Sequence, residues 1–115
     1  MGVVEQFAEE TEPEAFYSNA AMQMRTGAAL EVAEAKLNQA LKDLQLLMRE
    51  GEWEALEKAQ EAWQQYREAL QNCAHREYEG GTHAPLAWVF AGLAETERRT
   101  AEICEEVKDR TARYG

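Results

Sequence analysis

The stretch AQEAWQQYRE, residues 59–68, consists mostly of strong helix formers and places Trp63, Tyr66 and Arg67 within about one helical turn. Positions around it recur at alternating three- and four-residue steps, the spacing of an apolar seam between helices: Trp53, Leu56, Gln60, Trp63, Arg67 and Leu70. This seam predicts an all-α bundle. Because Gln60 and Arg67 are strongly polar, it also predicts specific polar contacts within the seam.

Composition sets the broad class of the protein. A chain of 115 residues with 45% hydrophobic and 30% charged residues is typical of one soluble globular domain. The formal net charge of −10 argues against nucleic acid or an anionic membrane as partner and favours a cationic partner. The longest apolar run, residues 85–94, is far shorter than the roughly 20 residues of a membrane span, so we expect no membrane insertion.

Glycine and proline divide the chain into segments. The predicted elements are an acidic lead-in over residues 1–13, a helix over 14–49, a turn at 50–52, a helix over 52–78, a loop at 79–85 and a helix over 85–113. Residues 14–115 are therefore predicted to form a single domain, an antiparallel three-helix bundle. A break near Gly27 would make four helices, and Gly51 is a candidate C-terminal cap of the first helix.

The polar residues of the seam have predicted partners on the first helix. If helices one and two form a hairpin that turns near residue 50, Glu34 lies opposite Arg67 and Asn38 lies opposite Trp63. A guanidinium beside a carboxylate forms charge-assisted hydrogen bonds, and a buried indole N–H needs an acceptor. The predicted structural polar layer comprises Glu34, Asn38, Gln60, Trp63, Tyr66 and Arg67. The alternative, equally weighted, is that Arg67 extends along Trp63 to the surface.

The sequence offers little for catalysis or metal binding. His75 and His83 are the only histidines, and Cys73 lies two residues from His75, so the two side chains point to different sides of a helix. A metal site at these histidines lacks zinc-type spacing, and Met22, Met24 and Met48 are interpreted as core residues. We therefore predict no enzyme activity, no metal and no cofactor.

The segment Glu79–Pro85 is the only glycine-rich stretch and is the predicted partner-binding site. One interpretation is that its glycines merely permit a turn between helices. The other is that the loop, carried on a rigid bundle, enters a cleft of a partner. The residues assigned to that site are Glu79, Gly80, Gly81, Thr82, His83 and Trp88.

Four short motifs, in order, give the chain a resemblance to a known family. They are Leu37-Asn38 on the first helix; Ala59-Gln60, Trp63 and Tyr66-Arg67 on the second; Glu79-Gly80-Gly81-Thr82 in the loop; and Thr96, Arg99-Thr100 and Ile103 on the third. Together, over about residues 30–105, they resemble the N-terminal domain of the lysozyme inhibitor LprI, a family of small bacterial envelope proteins. The resemblance implies a helical domain outside the cytoplasm that, in the named member, binds and blocks lysozyme.

Two features depart from that family. Its members usually carry cysteines expected to form disulfides, whereas Cys73 and Cys104 stand elsewhere, about 20 Å apart in an antiparallel bundle, so we predict two free thiols. A secretory signal has a basic region followed by an apolar one, and the first 14 residues contain neither. We expect a periplasmic or envelope location if a signal peptide was removed, and a cytoplasmic location otherwise.

These observations lead to two functional hypotheses. The preferred one is a non-enzymatic inhibitor or immunity protein that blocks a lysozyme-like or other peptidoglycan-degrading enzyme, including a secreted toxin. Its acidic surface would steer it toward a basic enzyme, and the loop or an acidic helix face would cover the substrate cleft. The alternative is a structural or assembly module of the bacterial envelope without an enzyme target. The oligomeric state is left open.

Overall fold

The protein consists of three long helices joined by short connections. The structure is a computed structural model that describes the backbone of residues 2–114 and the side chains of residues 20–114. Its elements are α1, Gly2–Gln45; α2, Glu50–Glu77; and α3, Ala84–Tyr114. There is no strand among residues 2–114, so the predicted all-α, three-helix fold is confirmed.

The first helix differs from its predicted limits. It begins at Gly2 and not near Glu14, so residues 3–12 are helical in the structure and the predicted helix start is wrong. Four of these ten residues are Glu, which favours helix. Helix α1 also continues through Gly27 without a break, which excludes the four-helix alternative. The assignment of residues 14–115 to one domain stays a prediction.

Gly51 was predicted to cap the first helix. It lies instead in the first turn of α2. Helix α1 ends at Gln45, and a turn through residues 46–48 follows. The backbone N–H of Arg49 donates to Glu52 Oε1 at 3.0 Å, a contact that starts α2 two residues earlier than expected. Glu50 and Glu52 also lie in the first turn, where negative charge stabilises a helix.

The third helix is the central element of the fold. Close backbone contacts join α3 to both α1 and α2, whereas α1 and α2 have almost none with each other. Since both connections are short, α2 is antiparallel to the other two helices and α1 is parallel to α3. Helices α1 and α2 therefore do not pack closely against each other as the predicted hairpin required. Much of the seam of α2 faces α3 instead.

The hydrophobic core lies in the half of the bundle nearer the α1–α2 turn. Its buried members come from all three helices: Leu37, Ala40, Leu44, Trp63 and Ile103. Leu41, Met48, Leu56 and Val107 pack against them. Met48 is thus a core residue as predicted, but Met22 and Met24 are exposed by 45% and 76%. Their assignment to the core is therefore wrong, since both side chains are exposed at the surface.

Candidate functional site

The connection between α2 and α3 forms one end of the bundle. It runs over residues 78–83, one residue shorter than predicted, because α3 already begins at Ala84. The N–H of Gly81 donates to the carbonyl of Tyr78 at 3.0 Å, and Gly80 has a φ of +88°, a conformation that favours glycine. Residues 79–83 are all exposed, so every loop residue assigned to the partner-binding site is accessible.

An apolar depression of about 540 Å³ lies beside this loop. Its walls come from all three helices and the loop: Met22, Ala74, Tyr78, His83, Leu86, Ala87 and Phe90. Tyr78 and Phe90 are exposed by 47% and 46%, and the rings of Tyr78 and His83 meet edge to face at 6.3 Å between centroids. We call this loop together with the depression the loop end. Exposed aromatic side chains around a depression are a frequent feature of protein interfaces.

Trp88, the sixth predicted binding residue, is only half-buried and anchors the start of α3. Its indole N–H donates to Asn72 Oδ1 at 3.4 Å, and its carbonyl accepts from Gln71 Nε2 at 3.2 Å. Gln71 is buried in turn and approaches Gly92 so closely that a Cβ at position 92 would overlap it. Trp88 therefore fixes the distance between α2 and α3 beside the loop end.

The middle of the bundle contains a polar layer that spans all three helices. Arg67 Nη1 on α2 donates to Glu34 Oε2 on α1 at 3.0 Å and to Thr96 Oγ1 on α3 at 2.8 Å. The guanidinium also lies over the Trp63 ring, 5.1 Å from its centroid. Both interpretations of Arg67 thus describe part of its geometry, since it pairs with Glu34 while lying along Trp63.

Trp63 and Gln60 find their partners on α3 and not on α1. The indole N–H of Trp63 donates to Glu95 Oε2 at 2.9 Å, and Gln60 Oε1 accepts from Arg99 Nε at 3.0 Å. Hydrogen bonds from Arg98, and then from Trp63, lower the pKa of the buried Glu95 carboxyl, although burial opposes this shift. The Glu95 carboxyl is therefore held in its charged form.

Two predicted members do not belong to this layer. Asn38 and Tyr66 are exposed, Tyr66 by 53%, and the Trp63 N–H that Asn38 was expected to face donates to Glu95 on α3 instead. The layer instead includes three residues of α3 that the predicted layer left out: Glu95, Thr96 and Arg99. A signal for Thr96 and Arg99 exists, since Gly92, Thr96, Arg99 and Ile103 follow the same three- and four-residue steps as the seam of α2.

The opposite end of the bundle is closed by Arg110. Its guanidinium donates to both carboxylate oxygens of Glu52 at 3.2 Å, to Glu106 Oε2 at 2.8 Å and to the carbonyl of Leu47 at 3.3 Å. Arg110, followed by the N–H of Arg49, lowers the pKa of Glu52 to about 2. The last turns of α3 are thereby tied to the α1–α2 turn.

The described residues contain no metal cluster and no disulfide. No group of three or more His, Cys, Asp or Glu side chains that could hold a metal lies together among residues 20–114. Cys73 and Cys104 are free and exposed, so the prediction of two free thiols is confirmed. None of the three helices, over the residues described, is long and apolar enough to cross a membrane.

The fold and these surfaces define a class: an acidic three-helix bundle with a polar layer at its middle and an exposed aromatic loop end. The sequence model of the family described as "Lysozyme inhibitor LprI" matches residues 12–103, most of the chain. The protein therefore belongs to the LprI lysozyme inhibitor family, and the resemblance inferred from its motifs is confirmed. No curated protein and no solved structure matches the chain significantly.

Proposed function

We propose that this protein is a non-enzymatic inhibitor that binds a lysozyme-type peptidoglycan hydrolase and blocks its substrate cleft. The observation that carries the proposal is the match of the lysozyme inhibitor family over residues 12–103. Steric occlusion needs no catalytic group on the inhibitor, only a rigid surface of suitable shape and charge. The bundle supplies the rigidity through the polar layer and the Arg110 contacts.

Charge supports a basic partner. The formal net charge of −10 is spread over a small chain, and such a field accelerates encounter with a cationic protein and disfavours anionic competitors. A bacterial envelope location is part of the proposal, since that is where a hydrolase of peptidoglycan and its inhibitor meet. An immunity role against a secreted toxin is the same binding activity with a different target enzyme.

The loop end is the proposed contact surface. Tyr78 and Phe90 expose aromatic area at the side of the loop, while Thr82 and His83 offer hydrogen-bonding groups at its tip. Aromatic anchors surrounded by polar groups are the usual composition of energetically important interface positions. Insertion of this end into a cleft would place residues 79–83 deepest.

The test is inhibition of cell-wall lysis by a cationic lysozyme, followed as loss of turbidity, together with a direct measurement of Kd. We expect the double variant Tyr78→Ser/Phe90→Ser to bind at least about tenfold more weakly, because each lost aromatic anchor costs on the order of 1 kcal/mol or more. Thr82→Ala/His83→Ala should weaken binding less.

The matched control is Leu46→Ser, which removes an apolar side chain that is 85% exposed at the other end of the bundle. It should bind like the unchanged protein. Full inhibition by both loop-end variants would show that the contact surface is not the loop end. No inhibition of any lysozyme-type enzyme by the unchanged protein would contradict the proposed function itself.

A further inference from the structure

A groove runs between α1 and α2, on the side that α3 does not fill. Two cavities of about 420 and 280 Å³ lie along it, and both are lined by Asn38, Leu41, Gln60 and Gln64. They are therefore parts of one continuous depression, which we call the α1–α2 groove. It exists because α1 and α2 both pack on α3 and leave a gap between their own backbones.

The floor of this groove is apolar. Trp53 and Leu56 on α2 and Leu41 on α1 line it, and all three are only half-buried. Amide groups of Asn38, Gln60 and Gln64 stand beside them. An apolar floor with polar groups at its edges is the surface that an amphipathic helix recognises when it docks into a helical protein.

The α2 edge of the groove is acidic. Exposed carboxylates follow this helix at steps of four, three, four and seven residues, which keeps them on one face: Glu50, Glu54, Glu57, Glu61 and Glu68. Glu57 and Glu61 line the groove directly, and the α1 edge opposite them contributes one basic residue, Lys42. Among the side chains of residues 20–114, no ion pair joins any of these five to a basic group, although like charges four residues apart repel.

We propose that the α1–α2 groove binds a cationic amphipathic helix of a partner protein. The apolar face of that helix would cover Trp53 and Leu56, and its Lys or Arg side chains would pair with Glu57 and Glu61. At 1.5 Å per residue, the segment of α1 between Glu34 and Gln45 spans about 16 Å, enough for three turns of a docked helix. A fourth helix in this position completes a four-helix bundle.

This proposal goes beyond the inhibitory function, because the groove begins in the middle of the bundle and extends toward the α1–α2 turn, away from the loop end. It does not depend on the identity of the target enzyme. The two surfaces can therefore be separated by substitution, and Thr82→Ala/His83→Ala should leave binding in the groove unchanged.

The experiment uses the full chain and three labelled synthetic peptides of about 14 residues, the length that covers the groove with short overhangs. The first has Leu at helical spacing and Lys at the remaining positions. The second has Glu in place of Lys, and the third has the composition of the first but alternates Leu and Lys, which removes the apolar helical face. Affinity is measured by fluorescence anisotropy at physiological salt. Only the first peptide should bind tightly.

Glu57→Gln/Glu61→Gln should bind the first peptide about fivefold more weakly, since each exposed ion pair contributes a small amount to affinity. The matched control is Glu105→Gln/Asp109→Asn, which makes the same change in net charge at two exposed α3 positions that are also four residues apart. It should bind normally. Trp53→Phe should reduce the change in tryptophan fluorescence that accompanies binding, because Trp53 lines the groove and is half-buried, whereas Trp63, which lines its second cavity, is buried.

Equal weakening in both double variants would show general charge attraction and overturn the proposal. Equal binding of the alternating peptide would do the same, because it has the charge without the apolar face. Self-association of the protein that changes in Glu57→Gln/Glu61→Gln, without binding of the cationic peptide, would identify a second copy of this chain as the occupant and would also overturn it.

Discussion

At the level of single residues, Arg67 contacts both neighbouring helices. One guanidinium nitrogen donates to Glu34 and to Thr96, while the Nε atom is buried without a hydrogen-bond partner among the described residues. An unsatisfied buried donor costs free energy, and the Glu34 side chain is 41% exposed, so its ion pair is partly screened. The net stabilisation from Arg67 is therefore modest, although its removal leaves Glu34 without a partner.

Arg67→Met should lower the free energy of unfolding by about 1–2 kcal/mol, since two charge-assisted hydrogen bonds are lost. Combining it with Glu34→Leu should recover much of that loss, because no unpaired charge then remains. The measurement is urea unfolding at neutral pH. Lys58→Met, which removes an exposed charge from the same helix, is the control and should change little. Equal stability of Arg67→Met and the unchanged protein would contradict the role of the pair.

Glu52 gives the protein a predictable sensitivity to acid. Its folded-state pKa is lowered to about 2, from an ordinary value of 4.5, mainly by hydrogen bonding to Arg110. A lowered pKa means that the charged form stabilises the fold. That contribution is complete above pH 4.5 and is lost as the pH falls from 4.5 toward 2.

We therefore expect the melting temperature of the unchanged protein to fall between pH 4.5 and 2. Glu52→Gln should be less stable than the unchanged protein at pH 7, and its melting temperature should depend less on pH in that interval. Glu54→Gln, an exposed neighbour on α2, serves as the control. Thermal melts followed by circular dichroism provide the measurement, and identical pH profiles for all three proteins would contradict the assignment.

At the level of helices, the sequence predicts the elements well and their arrangement only in part. Glycine and proline located the three helices, and three- and four-residue steps identified the seam of α2. Register arithmetic brought Glu34 opposite Arg67, as observed. The predicted partner of the Trp63 N–H was wrong, because periodicity shows which face of a helix is covered but not which helix covers it. Glu95 was missed for the same reason, since its partner lies 32 residues away on another helix. The loop was located from its glycines, whereas the aromatic depression beside it depends on the tertiary fold.

Two glycines inside helices should respond in opposite ways to alanine. Gly27 has nothing within 4 Å of a Cβ placed on it, so Gly27→Ala should stabilise the protein by up to about 1 kcal/mol through its better helix propensity. Gly92→Ala should destabilise it by about 1–3 kcal/mol, because the new methyl group overlaps Gln71 and forces α2 and α3 apart.

Chemical unfolding of the two variants side by side is the measurement, and each is the other's control because the chemical change is the same. A stabilised Gly92→Ala would show that Gln71 moves aside without cost. A destabilised Gly27→Ala would show that α1 is not continuous at this position.

At the level of the whole molecule, the net charge of −10 should govern the kinetics of partner binding more than its final strength. Raising NaCl from about 0.05 M to about 0.3 M should slow association with a cationic lysozyme severalfold, since the Debye length shortens from roughly 14 Å to roughly 6 Å. The dissociation rate should change less. Surface plasmon resonance at several salt concentrations separates the two rates, and an association rate independent of salt would contradict electrostatic steering.

The central position of α3 also determines when the protein can fold during its synthesis. Helices α1 and α2 leave the ribosome first, yet each finds its main packing partner in the last third of the chain. The contact of Arg110 with Leu47 joins residues 63 positions apart and closes only when the final helix has emerged. A nascent chain that ends near residue 83 therefore has two helical segments without a shared core. Cooperative folding therefore has to wait until α3 has emerged, and α3 would act as the template on which the other two helices assemble.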